Sequence, residues 1–406
     1  MSVNENIFSF VRDDYQRDNF DDFLKKVSFK YDVPSIHISG TNGKTVVASI
    51  LNNVYKAANY KTGLFISSSS KRVEDMVFVN GSSVSSSQVE KIFNDNQKLF
   101  KKYDLSHFEI ITFIALTIFK QENVDIAFIE CGMGGEVDAT NIFTPVLSII
   151  TSISMEHTNF LGKSISEIAL QKAGIIKEDI PVLLGNIPEE ALDVIANECK
   201  DRHSKIHRVS ETYQPTLTNE GYEFDYLTHP NIKLSSNAYY SVNDACIAID
   251  AIDILRPEFP VDEDKMLEGL KAVKMHCRYE SLTKDPLTII DGGHNPEAFE
   301  NLAKSLQKAG YNKQIHVLLA CFRDKNLIQM LSVIGAVADS ITLATFDHPR
   351  AREESDYFLY LNDYKFYQDP IEAYHVLKEQ FPEDIILITG SLAFAAYMLK
   401  RLNDEQ

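Results

Sequence analysis

The stretch "IHISGTNGKTVVASI", residues 36–50, decides the fold class. An apolar run beginning at Val33 stops at Ser39, and Gly40-Thr41-Asn42-Gly43-Lys44-Thr45-Val46 follows. Apolar residues then return at helical spacing, with Val47, Ile50, Leu51, Val54 and Ala57 on one face. Strand, glycine-rich loop, Lys-Thr and helix is the order in which a chain cradles phosphate. Glycines let amide N–H groups approach the oxygens, and the helix N-terminus adds partial positive charge. There Lys44 reaches the terminal phosphates, and the Thr45 hydroxyl meets Mg²⁺ directly or through water. A complete Walker spacing needs glycine where Ile38 stands, so an ordinary strand–turn–helix is the competing reading of the loop alone.

Working outward, short β-branched runs at 33–38, 62–66, 124–130, 146–151 and 181–184 alternate with amphipathic segments. This alternation predicts an α/β fold with a mostly parallel, doubly wound sheet. Between about 204 and 236 the pattern changes to period two around Asn219-Glu220-Gly221, which predicts a hairpin. A second α/β series runs through 286–291, 315–320, 340–344 and 385–389. The expectation is a P-loop ATPase-type domain over 1–283 and a smaller, Rossmann-like α/β domain over 284–406, divided within "SLTKDP" (281–286).

With 406 residues the chain can build two or three cores. A formal net charge of −18 argues against a non-specific binder of nucleic acid or anionic membrane, since both need a basic face. An anionic substrate still fits where the site is locally basic. Five scattered cysteines without a CxxC pair read as reduced thiols. The polar, acidic N-terminus lacks signal-peptide character, and "DIILITGSLAFAAYML" is too short to span a bilayer. A cytoplasmic monomer is expected.

A magnesium nucleotide needs oxygen ligands near the loop. "VDIAFIECGMGGEVDATN" (124–141) ends its apolar run in Glu130, at the strand edge that faces the ligand crevice of an open sheet. In isolation Glu130 reads first as an exposed strand-end carboxylate. "CGMGG" lacks the third glycine of a dinucleotide fingerprint, which argues against a nicotinamide enzyme. In "SISMEHTNFLGKSISEIALQKAGIIK" (152–177), His157 follows a strand and Lys172 lies between Ala169 and Ala173. A lone histidine is usually structural and a helical lysine usually solvated; the weakly charged surroundings of Lys172 permit a buried or modified amine.

Taken in order, GTNGKT, "GGEVDATN", "EHTNFLG" with "KAGIIK", "RYE…DGGHNP" and "ITGS" resemble the Mur ligase superfamily. Within it, the folylpolyglutamate synthase/dihydrofolate synthase branch is the most similar, over residues 34 to 395. The resemblance implies an ATP-dependent ligase that activates a carboxylate as an acyl phosphate and joins it to an amino acid, expected to be glutamate. It implies that Lys44 and the loop residues 40–46 hold the phosphates. It also makes Ser67, Glu130 and His157 ligands of Mg²⁺, and Lys172 a carbamylated lysine beside them. Asn243 falls near the adenine, Arg278 on the interdomain arginine, and Asp291 and His294 on the ATP-contacting segment. Lys44, Lys172 and His294 are the expected catalytic set. ATP, Mg²⁺, a folate-like carboxylate and an amino acid are the expected ligands.

The departures concentrate on the folate side. Thr45-Val46 follows Lys44 as in the cell-wall ligases, and Ser67-Ser68-Ser69 replaces Ser-Pro-His. Asp75-Met76-Val77 and Glu136 each stand where the branch carries an arginine, and Tyr239-Tyr240 replaces a His-Gln pair. Losing arginines weakens recognition of an anionic folate tail. A folate ligase is the first expectation, a ligase of the same chemistry acting on another carboxylate the second, and a nucleotide-binding protein without catalysis the third.

Overall fold

The computed structural model describes residues 2–12, 16–67 and 70–404. The chain divides into two compact units. The first comprises Met1–Gln214, Phe224–Lys233 and Asn243–Val273, and the second Pro215–Glu223, Leu234–Val242 and Lys274–Gln406.

The first unit is built on an eight-stranded sheet of β1 (Ser35–Ser39), β2 (Thr62–Phe65), β3 (Val77–Val79), β4 (Ser82–Ser83), β5 (Ile126–Glu130), β6 (Leu147–Ser152), β7 (Val182–Asn186) and β8 (Ile206–Arg208), ordered β4-β3-β2-β5-β1-β6-β7-β8. β3 pairs antiparallel with both β2 and β4; the other pairs are parallel. Strands buried on both faces need continuous apolar runs, and β1, β5 and β6 are buried at every residue. The helix Lys44–Ala57 after β1 buries Val47, Ile50, Leu51 and Val54, the face its spacing predicts. The helix His107–Gln121 is apolar almost all round because Phe113 meets Phe23 and Phe100 in an aromatic core, with ring centroids at 5.0 and 5.9 Å. β5 and β6 flank β1 on opposite sides, so the loops leaving their C-terminal ends open a crevice at the end of β1.

A three-stranded sheet follows, with β9 (Thr216–Thr218), β10 (Gly221–Tyr226) and β11 (His229–Lys233). Thr218 pairs with Gly221 at the hairpin expected around 219–221.

The second unit carries a six-stranded sheet of β12 (Glu280–Lys284), β13 (Leu287–Ile290), β14 (Ile315–Leu319), β15 (Ser340–Ala344), β16 (Lys365–Tyr367) and β17 (Ile385–Thr389), ordered β12-β13-β17-β14-β15-β16. All are parallel except the edge strand β12. That strand occupies the "SLTKDP" segment, so the polar stretch marked as a divider is itself part of a sheet. All five cysteines are buried and free of disulfides. Among the described residues, no helix is long and apolar enough to cross a membrane.

Candidate functional site

At the end of β1 the loop turns through Gly40 at φ +145°, a conformation L side chains rarely adopt. A Cβ at Gly40 would lie 2.0 Å from Thr151 Oγ1 and 3.0 Å from its amide nitrogen, so the loop presses directly on β6. That contact is reinforced by hydrogen bonds. Thr41 N donates to Ser152 O (2.9 Å), Asn42 N to Ser152 Oγ (3.0 Å), and Thr151 Oγ1 to Asn42 O (2.6 Å). Beyond β6, Ser154 N donates to Thr41 Oγ1 (3.0 Å). Gly43 then caps the helix whose first residue is Lys44. Lys44 Nζ folds back on the loop, donating to the carbonyls of Gly40 (2.7 Å) and Thr41 (3.0 Å). An incoming phosphate offers that cation charged acceptors in place of neutral ones.

Glu130 ends β5 beside this helix. The Thr45 hydroxyl lies 2.9 and 3.0 Å from its two carboxylate oxygens, and the Ser67 amide donates to it at 3.2 Å. Thr45, Ser67 and Glu130 therefore meet at one point, although 85 residues separate Thr45 from Glu130. Among the described residues no group of three His, Cys, Asp or Glu side chains is set to hold a metal ion. A carboxylate with hydroxyls nevertheless suits Mg²⁺, which takes few protein ligands and completes its shell with phosphates and water. Ser68 and Ser69 lie outside the described residues.

Lys172 is wholly buried near the end of the helix Ile165–Ala173, and its Nζ donates to Glu156 at 2.8 Å. Burial pushes the lysine below its usual pKa and the neighbouring Lys44 charge adds to this, while Glu156 opposes it. Burial would raise the Glu156 carboxyl, but the charges of Lys172, Lys44 and His157 outweigh that and hold it at about 2. Mutual influence on one carboxylate places Lys44, Lys172 and His157 in one neighbourhood. His157 itself is exposed at φ +46° in the turn after β6, its carbonyl accepting from Phe160 and Leu161.

The glycine-rich segment after Glu130 is folded around Asp138. Its carboxylate accepts from Met133 N (2.8 Å), Thr140 N (2.9 Å) and Thr140 Oγ1 (2.6 Å). Asn141 Nδ2 donates to the carbonyls of Glu136 and Gly174, both at 3.0 Å. "VDATN" thus specifies a loop shape. Glu136 uses its backbone in that loop, with N donating to Gln171 O (2.8 Å), and its side chain is exposed.

In the second unit, Asp291 at the end of β13 is buried and engaged on both oxygens. Oδ2 accepts from Tyr240 Oη (2.7 Å) and Tyr279 N (3.0 Å), and Oδ1 from Gly293 N (2.8 Å). Asp291 thereby shapes the turn that carries His294, whose Nδ1 lies 3.2 Å from Gly292 O. Arg278 is half-buried just before Tyr279. Asn243 belongs to the first unit, one residue before Asp244, whose Oδ1 would lie 2.5 Å from a Cβ on Gly43. Sequence reasoning missed Glu156, Thr151, Ser152 and Asp244. Glu156, directly before His157 and on the segment of Lys172, was the one with a readable signal.

Residues 38–239 match the Mur ligase middle domain, and 277–392 the glutamate ligase domain of Mur ligases. The dihydrofolate synthase/folylpolyglutamate synthase of Bacillus subtilis (strain 168) is 30% identical over 390 residues, covering 91% of this chain and 90% of that protein. The folylpolyglutamate synthase of Lacticaseibacillus casei is 29% identical over 388 residues, covering 90% and 89%. A solved folylpolyglutamate synthase–AMPPCP complex superposes with a TM-score of 0.85 at 26% identity, covering 99% of this chain and all of the other.

Proposed function

The chain belongs to the Mur ligase superfamily, in its folylpolyglutamate synthase/dihydrofolate synthase branch, and we propose that it joins L-glutamate to the carboxylate of a folate at the expense of ATP. As a member it is an ADP-forming acid–amino-acid ligase. The observation that supports ATP-dependent activation is the convergence of Thr45, Ser67 and Glu130 beside the phosphate loop, with the buried Lys172–Glu156 pair in the same neighbourhood; the likeness to a dihydrofolate synthase/folylpolyglutamate synthase over 91% of the chain supports the folate acceptor.

A carboxylate is a poor electrophile, and transferring a phosphoryl group to it creates a leaving group. One carboxylate oxygen attacks the γ-phosphorus of ATP, and the bond to the β–γ bridging oxygen breaks, releasing ADP. The glutamate amine then attacks the acyl carbon, phosphate departs, and the amine loses a proton. Such transfers need positioning and charge neutralisation more than covalent help from the protein. The loop amides orient the β- and γ-phosphates, and Lys44 exchanges its carbonyl partners for phosphate oxygens. Thr45, Ser67 and Glu130 would hold Mg²⁺, with His157 and a carbamylated Lys172 serving a second ion; bound there, Mg²⁺ supplies charge neutralisation on the phosphates. In this reading Asn243 lies toward the adenine, and Arg278 and His294 contact the nucleotide. Asp291 acts by shaping the His294 turn.

The exposed carboxylate of Glu136 favours a second reading, the same chemistry on a carboxylate other than folate. Incubating the protein with MgATP, glutamate and either tetrahydrofolate or dihydropteroate separates the two. A product heavier by one glutamyl unit, matched by ADP, supports the folate ligase. ADP release with another acid, and none with either pterin, rejects it.

A further inference from the structure

Arg17 stands immediately ahead of the helix Asp18–Lys26 and reaches the loop between β5 and β6. Its Nη1 lies 2.5 Å from the carbonyl of Asn141, 3.4 Å from that of Glu136 and 3.5 Å from that of Asp138. Its Nε pairs with Asp21 at 3.1 Å, which fixes the plane of the guanidinium. The turn it gathers is joined in its backbone to the helix end that carries Lys172. Glu136 N donates to Gln171 O, Asn141 Nδ2 donates to Gly174 O, and Gly135 approaches so closely that a Cβ there would lie 2.8 Å from the carbonyls of both Gln171 and Lys172. The phosphate loop leans on Thr151, Ser152 and Ser154, through bonds that do not involve Arg17; the strand end before it meets the turn where Ser39 Oγ donates to Gly134 O (2.5 Å), ahead of the 136–141 segment that Arg17 grips.

We infer that Arg17 is a positioning residue, fixing the acceptor side of the ligase site through the 136–141 turn while leaving the ATP side to β6. The inference rests on the ligase reading above. In-line attack requires the acceptor carboxylate to approach the γ-phosphate from the face opposite ADP. The loop amides and the Lys44 helix occupy the ADP face. Around Glu130, the elements outside the phosphate loop include the segment at Ser67, the 131–142 loop and the helix of Lys172, and of these Arg17 grips the 131–142 loop. One guanidinium nitrogen, Nη1, close to the Asn141 carbonyl and within 3.5 Å of two more, holds that loop in a single shape. Without it, three carbonyls lose a charged donor and the turn can drift relative to Lys172. Displacements of this size far from the chemistry are costly to orientation.

The test compares the full-length wild type with Arg17→Gln and Arg17→Lys. KM for tetrahydrofolate is expected to rise about fivefold or more in Arg17→Gln, while KM for ATP stays within about twofold. Arg17→Lys, which keeps a cationic donor, is expected to fall between the two proteins. Equal rises in both KM values, or an unchanged acceptor KM in a folded variant, would overturn the inference. Should Arg17→Gln fail to fold, Asp21→Asn frees the guanidinium plane and should shift the acceptor KM in the same direction by less; no shift there counts against the brace. A wild type that releases no ADP with any folate rejects the proposed substrate but leaves the brace open to a second readout. Amide exchange across residues 134–140 should then be faster in Arg17→Gln, and unchanged exchange would refute the brace.

Discussion

Replacing Gly40 by alanine tests whether the phosphate loop is set by its contact with β6. The added Cβ would lie 2.0 Å from Thr151 Oγ1, and 3.0 and 3.1 Å from the amide nitrogens of Thr151 and Ser152. Rotating the threonine relieves the first clash but breaks its bond to Asn42 O, worth about 1 kcal/mol. The backbone nitrogens cannot rotate away, and moving a packed strand end costs about 1–3 kcal/mol. Holding a non-glycine residue at φ +145° adds about 1–3 kcal/mol. The sum, roughly 3–7 kcal/mol, exceeds what a loop tolerates in place, so it should surface as lost ATP affinity of about 100-fold or more. The control is Gly310→Ala, at φ +61° with nothing within 4 Å, which should carry only the left-handed backbone cost of about 1–2 kcal/mol. Calorimetric titration with a non-hydrolysable nucleotide, paired with denaturant unfolding, reads both quantities. If Gly40→Ala binds nucleotide within about threefold of wild type and unfolds no more easily than Gly310→Ala, the steric reasoning is wrong.

Lys44→Ala should abolish ADP release yet leave unfolding within about 0.5 kcal/mol of wild type, because the bonds Nζ makes among the described residues are to the loop's own carbonyls; near-normal turnover would move the phosphate site elsewhere. Glu130→Gln keeps the shape but removes the charge that Thr45 and Ser67 surround, so a Mg²⁺ titration of turnover should shift to higher concentration, and an unchanged titration refutes its metal role. His229, between Asp253 (2.8 Å) and Glu263 (2.9 Å), is pulled down by burial but raised on balance by those two carboxylates. A histidine raised in the folded state stabilises fully below the unfolded value of about 6.5 and loses that contribution as pH climbs through its folded pKa. The stability difference between wild type and His229→Gln should therefore be fullest well below the ordinary histidine value and shrink as pH rises through the raised folded one; a difference constant with pH would show that the ring works neutral.

The two parallel sheets were readable because strands buried on both faces must be continuously apolar, as 126–130, 147–152 and 385–389 are. β8, β12 and β16 escaped because edge strands expose alternate residues and so carry mixed composition. The same asymmetry governs the site. Gly40, Lys44 and Glu130 announce themselves by residue type at the end of a strand. Thr151 and Ser152 do not, since hydroxyls that brace a loop look like any polar strand end until register brings β6 beside β1.

The departures from the folate branch acquire different weights once placed in the fold. Met76 is buried in the aromatic core beside Phe65 and Val73, so that position here fills space and carries no charge toward a ligand. Glu136 lies in the turn that Arg17 and Asn141 hold by its backbone, so a glutamate enters without altering the loop. Its exposed carboxylate nevertheless changes the charge of the wall that adjoins Lys172. The bonds of the phosphate loop to β6 involve neither position. Of the two positions, the exposed Glu136 is therefore the one we propose to bear on acceptor preference. If that is right, Glu136→Arg should lower KM for polyglutamylated folate, leave KM for ATP unchanged, and have a smaller effect on dihydropteroate, which lacks a glutamyl tail.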